Sequence, residues 1–175
     1  MSEAKKPLVA YCNAMEEIKA RLAVVRHLAQ GGSAFARQDL NIEALCLFFR
    51  KTLELIAFSS LTAHRAAYEA VYNDISSQWR AKRILDRVEQ QHPEFFPKPV
   101  RISGRDHRGV WMIENVEDGF LTKDDFEFLY DQCSAVIHAR NPFRPNEVIN
   151  FERSLDEWAL RVIRLLDHHI IKLSG

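Results

Sequence analysis

Two side-chain groupings in this sequence have types and spacing suited to chemistry. The first is Glu127, Asp131, Ser134 and His138, which at about 100° per residue fall on one side of a helix. A histidine there titrates near neutrality and can serve as a general base, with Asp131 orienting it through Ser134 or a water. The alternative is a solvated face on which a charged His138 satisfies the carbonyls at the helix end. The second grouping is Glu43, Arg50 and Glu54, spaced seven and four apart in an otherwise apolar segment. A buried arginine wants a partner. Arg50 either supplies a cation to the cleft of His138 or pairs with Glu54 one turn on and anchors packing. Arg140, two residues past His138, is a second candidate for the cationic role.

Metal, nucleotide and serine-nucleophile chemistry find little purchase. Seven histidines include one Glu89-x-x-His92 pair at a helix end and no H-x-x-x-H, so neither a metal nor another cofactor is expected. There is no G-x-S-x-G, no G-x-x-x-x-G-K-S/T and no G-x-G-x-x-G. Cys12, Cys46 and Cys133 are odd in number and form no C-x-x-C, which argues against a disulfide framework and fits a reducing, cytoplasmic setting.

Charge is balanced overall, with 24 lysines and arginines against 24 acids, which excludes a protein that coats nucleic acid by bulk basicity. Locally it is lopsided. Residues 80–108 hold a basic excess and residues 114–131 an acidic one. Lys98, Arg101, Arg105 and Arg108, close to Trp111, can grip a phosphate backbone while the indole stacks a base. The same basic arm can instead dock on the acidic segment of a second copy, or remain solvated.

The elements that must position these residues read as helices. Tyr11, Met15, Ile18, Leu22, Val25 and Ala29 form one apolar stripe ended by Gly31-Gly32. From about Leu40 to Tyr72 no proline or glycine intervenes, and the apolar surface of Leu45, Phe49, Leu53 and Ile56 is wide enough for a central helix. Ser76 or Ser77 caps a third helix that stops before Pro93. Residues 94–116 break the pattern, with short β-like runs on either side of a Gly104 to Gly109 loop, an excursion that is a short hairpin or merely extended. Thr122 with Asp125, and Ser154 with Glu157, mark capping boxes that open two further helices, the first ending at Asn141-Pro142. The last has a core face running from Leu155 through Trp158, Val162 and Leu165 to His169 and Leu173. No stretch approaches the roughly 20 apolar residues of a membrane span. The expectation is an all-α, five-helix up-and-down bundle over residues 1–175, with an excursion at 94–116.

The run Val136-Ile137-His138-Ala139-Arg140-Asn141 ending a late helix, with Arg50-Lys51-Thr52-Leu53-Glu54 on an earlier apolar helix, resembles the HEPN superfamily across residues 40–170. The resemblance implies a small helical bundle, often dimeric, from bacterial defence, toxin–antitoxin or RNA-processing systems. Its catalytic mark is an arginine separated from a histidine by four to six residues. Only His138 carries over, because the arginine's positions hold Cys133, Gln132 and Asp131. The expected function is a degenerate or non-catalytic module that forms a homodimer and binds RNA or a protein. The alternatives are a metal-independent endoribonuclease using His138, and a purely structural subunit.

Overall fold

The computed structural model describes residues 6–63, 85–86, 89–90, 93–138 and 148–171. Helices α1 (Lys6–Ala29) and α2 (Gln38–Ala63) come first, then strands β1 (Lys98–Arg105) and β2 (Trp111–Asn115). Helices α3 (Lys123–Ile137) and α4 (Leu155–Leu166) follow, and strand β3 (His169–Ile170) closes the described chain. Of the expected third helix only residues 85–86 and 89–90 are described, and these are helical; the rest of it and the far end of the second lie outside the described residues.

The helical expectations largely hold at the level of single residues. Tyr11, Ile18, Leu22 and Val25 of α1 are buried, as are Leu45, Phe49, Leu53 and Ile56 of α2. After α1 the Gly32 N–H returns to the carbonyl of His27 at 2.9 Å and stops the helix. Asn41 turns the chain into α2: its side-chain oxygen accepts from the amides of Ala34 and Phe35, and its amide group donates to the carbonyls of Phe35 and Arg37. Helix α2 lies between α1 and α3, and α4 packs on α1. Their facing stripes, with Phe95 and Leu121, make one core in which Trp158, Phe49, Phe95 and Phe126 are the bulkiest fully buried side chains.

Both expected caps are present. Thr122 accepts from the Asp125 amide at 3.1 Å while Asp125 accepts from the Thr122 amide at 3.3 Å, a reciprocal box opening α3. Ser154 accepts from the Glu157 amide at 3.1 Å and opens α4. Arg161 of α4 donates to both Asp125 and the carbonyl of Phe120 at 2.9 Å, so the caps and the loop before α3 are clamped to α4.

The all-α, five-helix bundle is incorrect. Among the described residues are four helices and a three-stranded antiparallel sheet in the order β2-β1-β3, a mixed architecture. The excursion is a true hairpin, and it is tied into a sheet by a strand that the periodicity assigned to the last helix. That helix ends at Leu166. Lys98 and Pro99 of β1 pair with Ile170 and His169, and the Val100 amide donates to the carbonyl of His168 at 2.8 Å. The inner edge of β1 needs a backbone partner, and satisfying it outweighs two more turns of helix for the β-branched pair Ile170-Ile171.

Removing the box that opens α3 isolates one local term. Thr122→Ala is expected to lower the unfolding free energy by about 1 kcal/mol, with Thr122→Ser close to wild type, measured by urea denaturation.

Candidate functional site

Three regions gather polar or exposed apolar groups. At the α2–α3 seam, Arg50 Nε donates to Glu54 Oε1 at 3.1 Å, and Tyr130 OH donates to the same oxygen at 3.2 Å. The guanidinium carbon sits 5.0 Å from the centroid of the Tyr130 ring. All three groups are largely shielded, so each satisfies another, and burial raises the Tyr130 hydroxyl above its ordinary range. Alongside, the thiols of Cys46 and Cys133 meet across the two helices. Their hydrogen bond and their burial push Cys133 far up, which makes it an inert packing group.

The structure does not bring the proposed catalytic residues together. His138 is exposed and closes α3 through its backbone N–H, which donates to the Ser134 carbonyl at 3.2 Å. Ser134 spends its hydroxyl on the carbonyl of Tyr130 at 2.7 Å and does not relay Asp131 to the imidazole; Asp131 is itself exposed. Arg50 is held on Tyr130, two turns or about 12 Å back along the helix from His138. Arg140 lies outside the described residues. Arg50 does place its positive charge near Cys133, one of the positions where a HEPN arginine is expected, but it arrives there from the neighbouring helix and already bound to Glu54.

The second region is the β1–β2 hairpin. Asp106, His107, Arg108 and Gly109 make its turn: the Gly109 amide donates to the Asp106 carbonyl and the Asp106 amide to the Val110 carbonyl, both at 2.9 Å. Gly109 takes a φ of +79°, which the hairpin needs and other residues resist. The Asp106 carboxylate accepts from the amides of Val110 and Arg108, and these bonds hold its pKa below the usual range. A bulge at Ser103 precedes Gly104, whose φ is +129°. Ile102 and Arg105 are three residues apart and would point to opposite faces of a regular strand; the extra residue puts both on one face. There Ile102 stands opposite Ile113 and Arg105 opposite Trp111, with the guanidinium carbon 4.0 Å from the indole centroid.

Of the four hairpin cations expected to grip phosphate, three carry intramolecular partners. Lys98 pairs with Glu94 at 2.7 Å, Arg101 with Glu114 at 2.6 Å and Arg108 with Asp106 at 3.3 Å, while Arg105 covers Trp111. Sequence reasoning separated a basic segment from an acidic one, yet Arg101 and Glu114 are cross-strand partners within one hairpin. It also passed over the apolar content. Ile102, Val110, Trp111, Met112 and Ile113 are 47%, 58%, 57%, 44% and 54% exposed. Gly104, read as the start of the loop, lies inside β1 and was the available signal that this strand bulges.

The third region is a groove of about 450 Å³ between α1 and α4, lined by Met15, Ile18, Leu22, Ile163 and Leu166 and closed at one end by His169. Its Lys19 is taken by Glu16. His169 Nδ1 lies 3.0 Å from the Leu166 carbonyl, to which it donates, so Nε2 accepts from the Tyr11 hydroxyl. Burial lowers the His169 pKa and raises that of Tyr11, which keeps the pair neutral. Among the described residues no helix is long and apolar enough to cross a membrane, and no three metal-ligating side chains converge.

Neither a protein-family model, nor a characterised protein, nor a solved structure matches the chain.

Two measurements follow from these contacts. Glu54→Ala strands the Arg50 guanidinium and the Tyr130 hydroxyl and is expected to cost about 1–3 kcal/mol in urea unfolding, whereas His138→Ala changes stability by less than about 0.5 kcal/mol. The folded-state pKa of His169 is depressed, so its contribution to stability is complete above the ordinary histidine value of 6.5 and is lost as pH falls from there through the lowered value. Melting temperature recorded from pH 8 to pH 5 should therefore fall, and His169→Leu should flatten that part of the profile.

Proposed function

We propose that this chain is a non-catalytic interaction module that recognises protein through the β1–β2 hairpin, as a degenerate HEPN-like module with an incomplete Arg–His pair would. The observation that carries this reading is the hairpin's composition in space. Three of its four cations are paired, Lys98–Glu94, Arg101–Glu114 and Arg108–Asp106, and the fourth, Arg105, lies over Trp111, while its large apolar side chains stay in water. A phosphate-binding arm needs cations available to displace counterions. A protein-binding element needs apolar anchors, and tryptophan and arginine are the residues enriched at such anchors. The separation of Arg50 from His138 counts against phosphodiester cleavage, because a general base and a charge-stabilising cation must share one cleft.

The β2 strand favours recognition by strand addition, in which an extended segment pairs with the free edge and side chains on alternate positions give specificity. A displayed random-peptide library panned on the immobilised chain should enrich extended peptides with alternating apolar residues. Their binding should be lost in Asn115→Pro, which removes one edge N–H. Mixed-sequence single-stranded RNA should show neither cleavage nor tight binding at physiological salt. RNA cleavage abolished by His138→Ala, or a chain that is monomeric and binds no peptide in a hairpin-dependent way, would overturn the reading.

A further inference from the structure

We propose that the occupant of the β2 edge is a second copy of the same strand, paired antiparallel across a two-fold axis through Ile113. This deepens the reading of the hairpin as a protein-recognition element and rests on it.

The hydrogen-bond pattern fixes which backbone groups are available. The Val116 amide donates to the Pro99 carbonyl, and at the other end the Asp106 amide donates to Val110. Bonded and non-bonded pairs alternate along an antiparallel ladder, so Arg101–Glu114 is a bonded pair, and Val100–Asn115, Ile102–Ile113 and Arg105–Trp111 are not. The Val100 amide, turned away from β2 to the carbonyl of His168, agrees with this phase. Trp111, Ile113 and Asn115 therefore direct their N–H and C=O groups to the outer edge, where no strand among the described residues pairs with them.

That edge is complementary to itself in one register. With Ile113 opposite the partner's Ile113, Trp111 meets the partner's Asn115 and Met112 meets the partner's Glu114. All three outward-facing residues then exchange both of their backbone bonds. The isoleucine pair Ile102–Ile113 of one copy abuts that of the other, so four isoleucines run in a row across one face of a continuous six-stranded sheet. Shifting the axis to Glu114 sets two glutamates directly opposite each other, and shifting it to Met112 leaves Asn115 beyond the pairing. In the Ile113 register Glu114 keeps Arg101 on its inner side and an apolar neighbour on its outer side, so no like charges are directly opposed. A solvated two-stranded ribbon is marginal by itself, and doubling the sheet pairs its free backbone groups and brings its exposed apolar residues into cross-strand contact.

Sedimentation equilibrium of the wild-type chain should show a reversible monomer–dimer equilibrium. Ile113→Asp places two carboxylates on the axis, and Asn115→Pro removes one edge donor from each copy while leaving the β1 ladder intact. Each should weaken association by on the order of tenfold or more without loss of helical circular dichroism. The register is tested in a Cys12→Ser background. Chains with Met112→Cys mixed with chains with Glu114→Cys should form an interchain disulfide on mild oxidation, because facing non-bonded positions lie about 4.5 Å apart between Cα atoms, within disulfide range. Either cysteine variant alone should link poorly. A wild-type chain that stays monomeric up to millimolar concentration overturns self-pairing. So does a dimer indifferent to both edge variants. A monomer that still selects strand peptides loses the self-pairing alone and leaves the hairpin as a protein-recognition element standing.

Discussion

The structure depends on the junction at His169. Here the chain leaving α4 stops being helical and pairs with the start of β1, through Pro99–His169, Lys98–Ile170 and the Val100 amide on the His168 carbonyl. The imidazole donates back to Leu166 at the end of α4 and accepts from Tyr11 of α1. One residue thus ties back to the end of a helix, starts a strand and holds the first helix to both. Since a hairpin of two strands has little stability alone, this junction is what allows β1 and β2 to stand out from the helices in a defined direction. It also explains why the groove between α1 and α4 is closed at that end by a neutral, internally satisfied pair.

From that anchor outward, the hairpin is shaped by one extra residue. Ser103 displaces the register, and Gly104 takes the backbone conformation that permits the displacement. Without it Arg105 would leave the face that carries Trp111, and Ile102 and Arg105 would lie on opposite sides. Charge placement works in the same direction. Arg101 and Glu114 face each other, Asp106 holds Arg108 at the turn, and the only hairpin cation stacked on an aromatic ring is Arg105. Cross-strand and turn pairs of this exposure add little stability, but they offset most of the arm's positive charge beside its exposed apolar side chains.

What the sequence made legible was local. The apolar stripes of α1, α2, α3 and α4 and the two caps at Thr122 and Ser154 depend on residues within a turn or two of one another, and periodicity and capping chemistry report such relations directly. The turn at Gly109 was legible for the same reason. The β3 strand was not, because His168-His169-Ile170-Ile171 continues a helical stripe as well as it forms a strand, and its state is settled by β1, some seventy residues earlier. The candidate chemistry fared likewise. The i,i+4 pairing of Arg50 with Glu54 could be read from spacing, whereas Tyr130 as the third member, from another helix, could not. The opposed charge segments were real as composition and misleading as a surface, since segments adjacent in sequence folded back on each other.

The two edges of the sheet are unequal, and that inequality bears on what the hairpin does. The β3 edge is two residues long and lies beside Tyr11, too short to template another chain. The β2 edge is five residues, all exposed, with Trp111, Met112 and Ile113 in succession and one charge. Folded proteins protect such edges with bulges, prolines, lysines or covering loops. Here the bulge and the proline are on β1, where they shape the face and the root of the hairpin but leave the β2 backbone free. The polar groups of the helical body are by contrast spent on one another: Arg50 on Glu54, Tyr130 on Glu54, Ser134 on Tyr130, Arg161 on Asp125. On the proposed reading, recognition acts at this exposed, largely apolar strand edge, and the helices hold it in place.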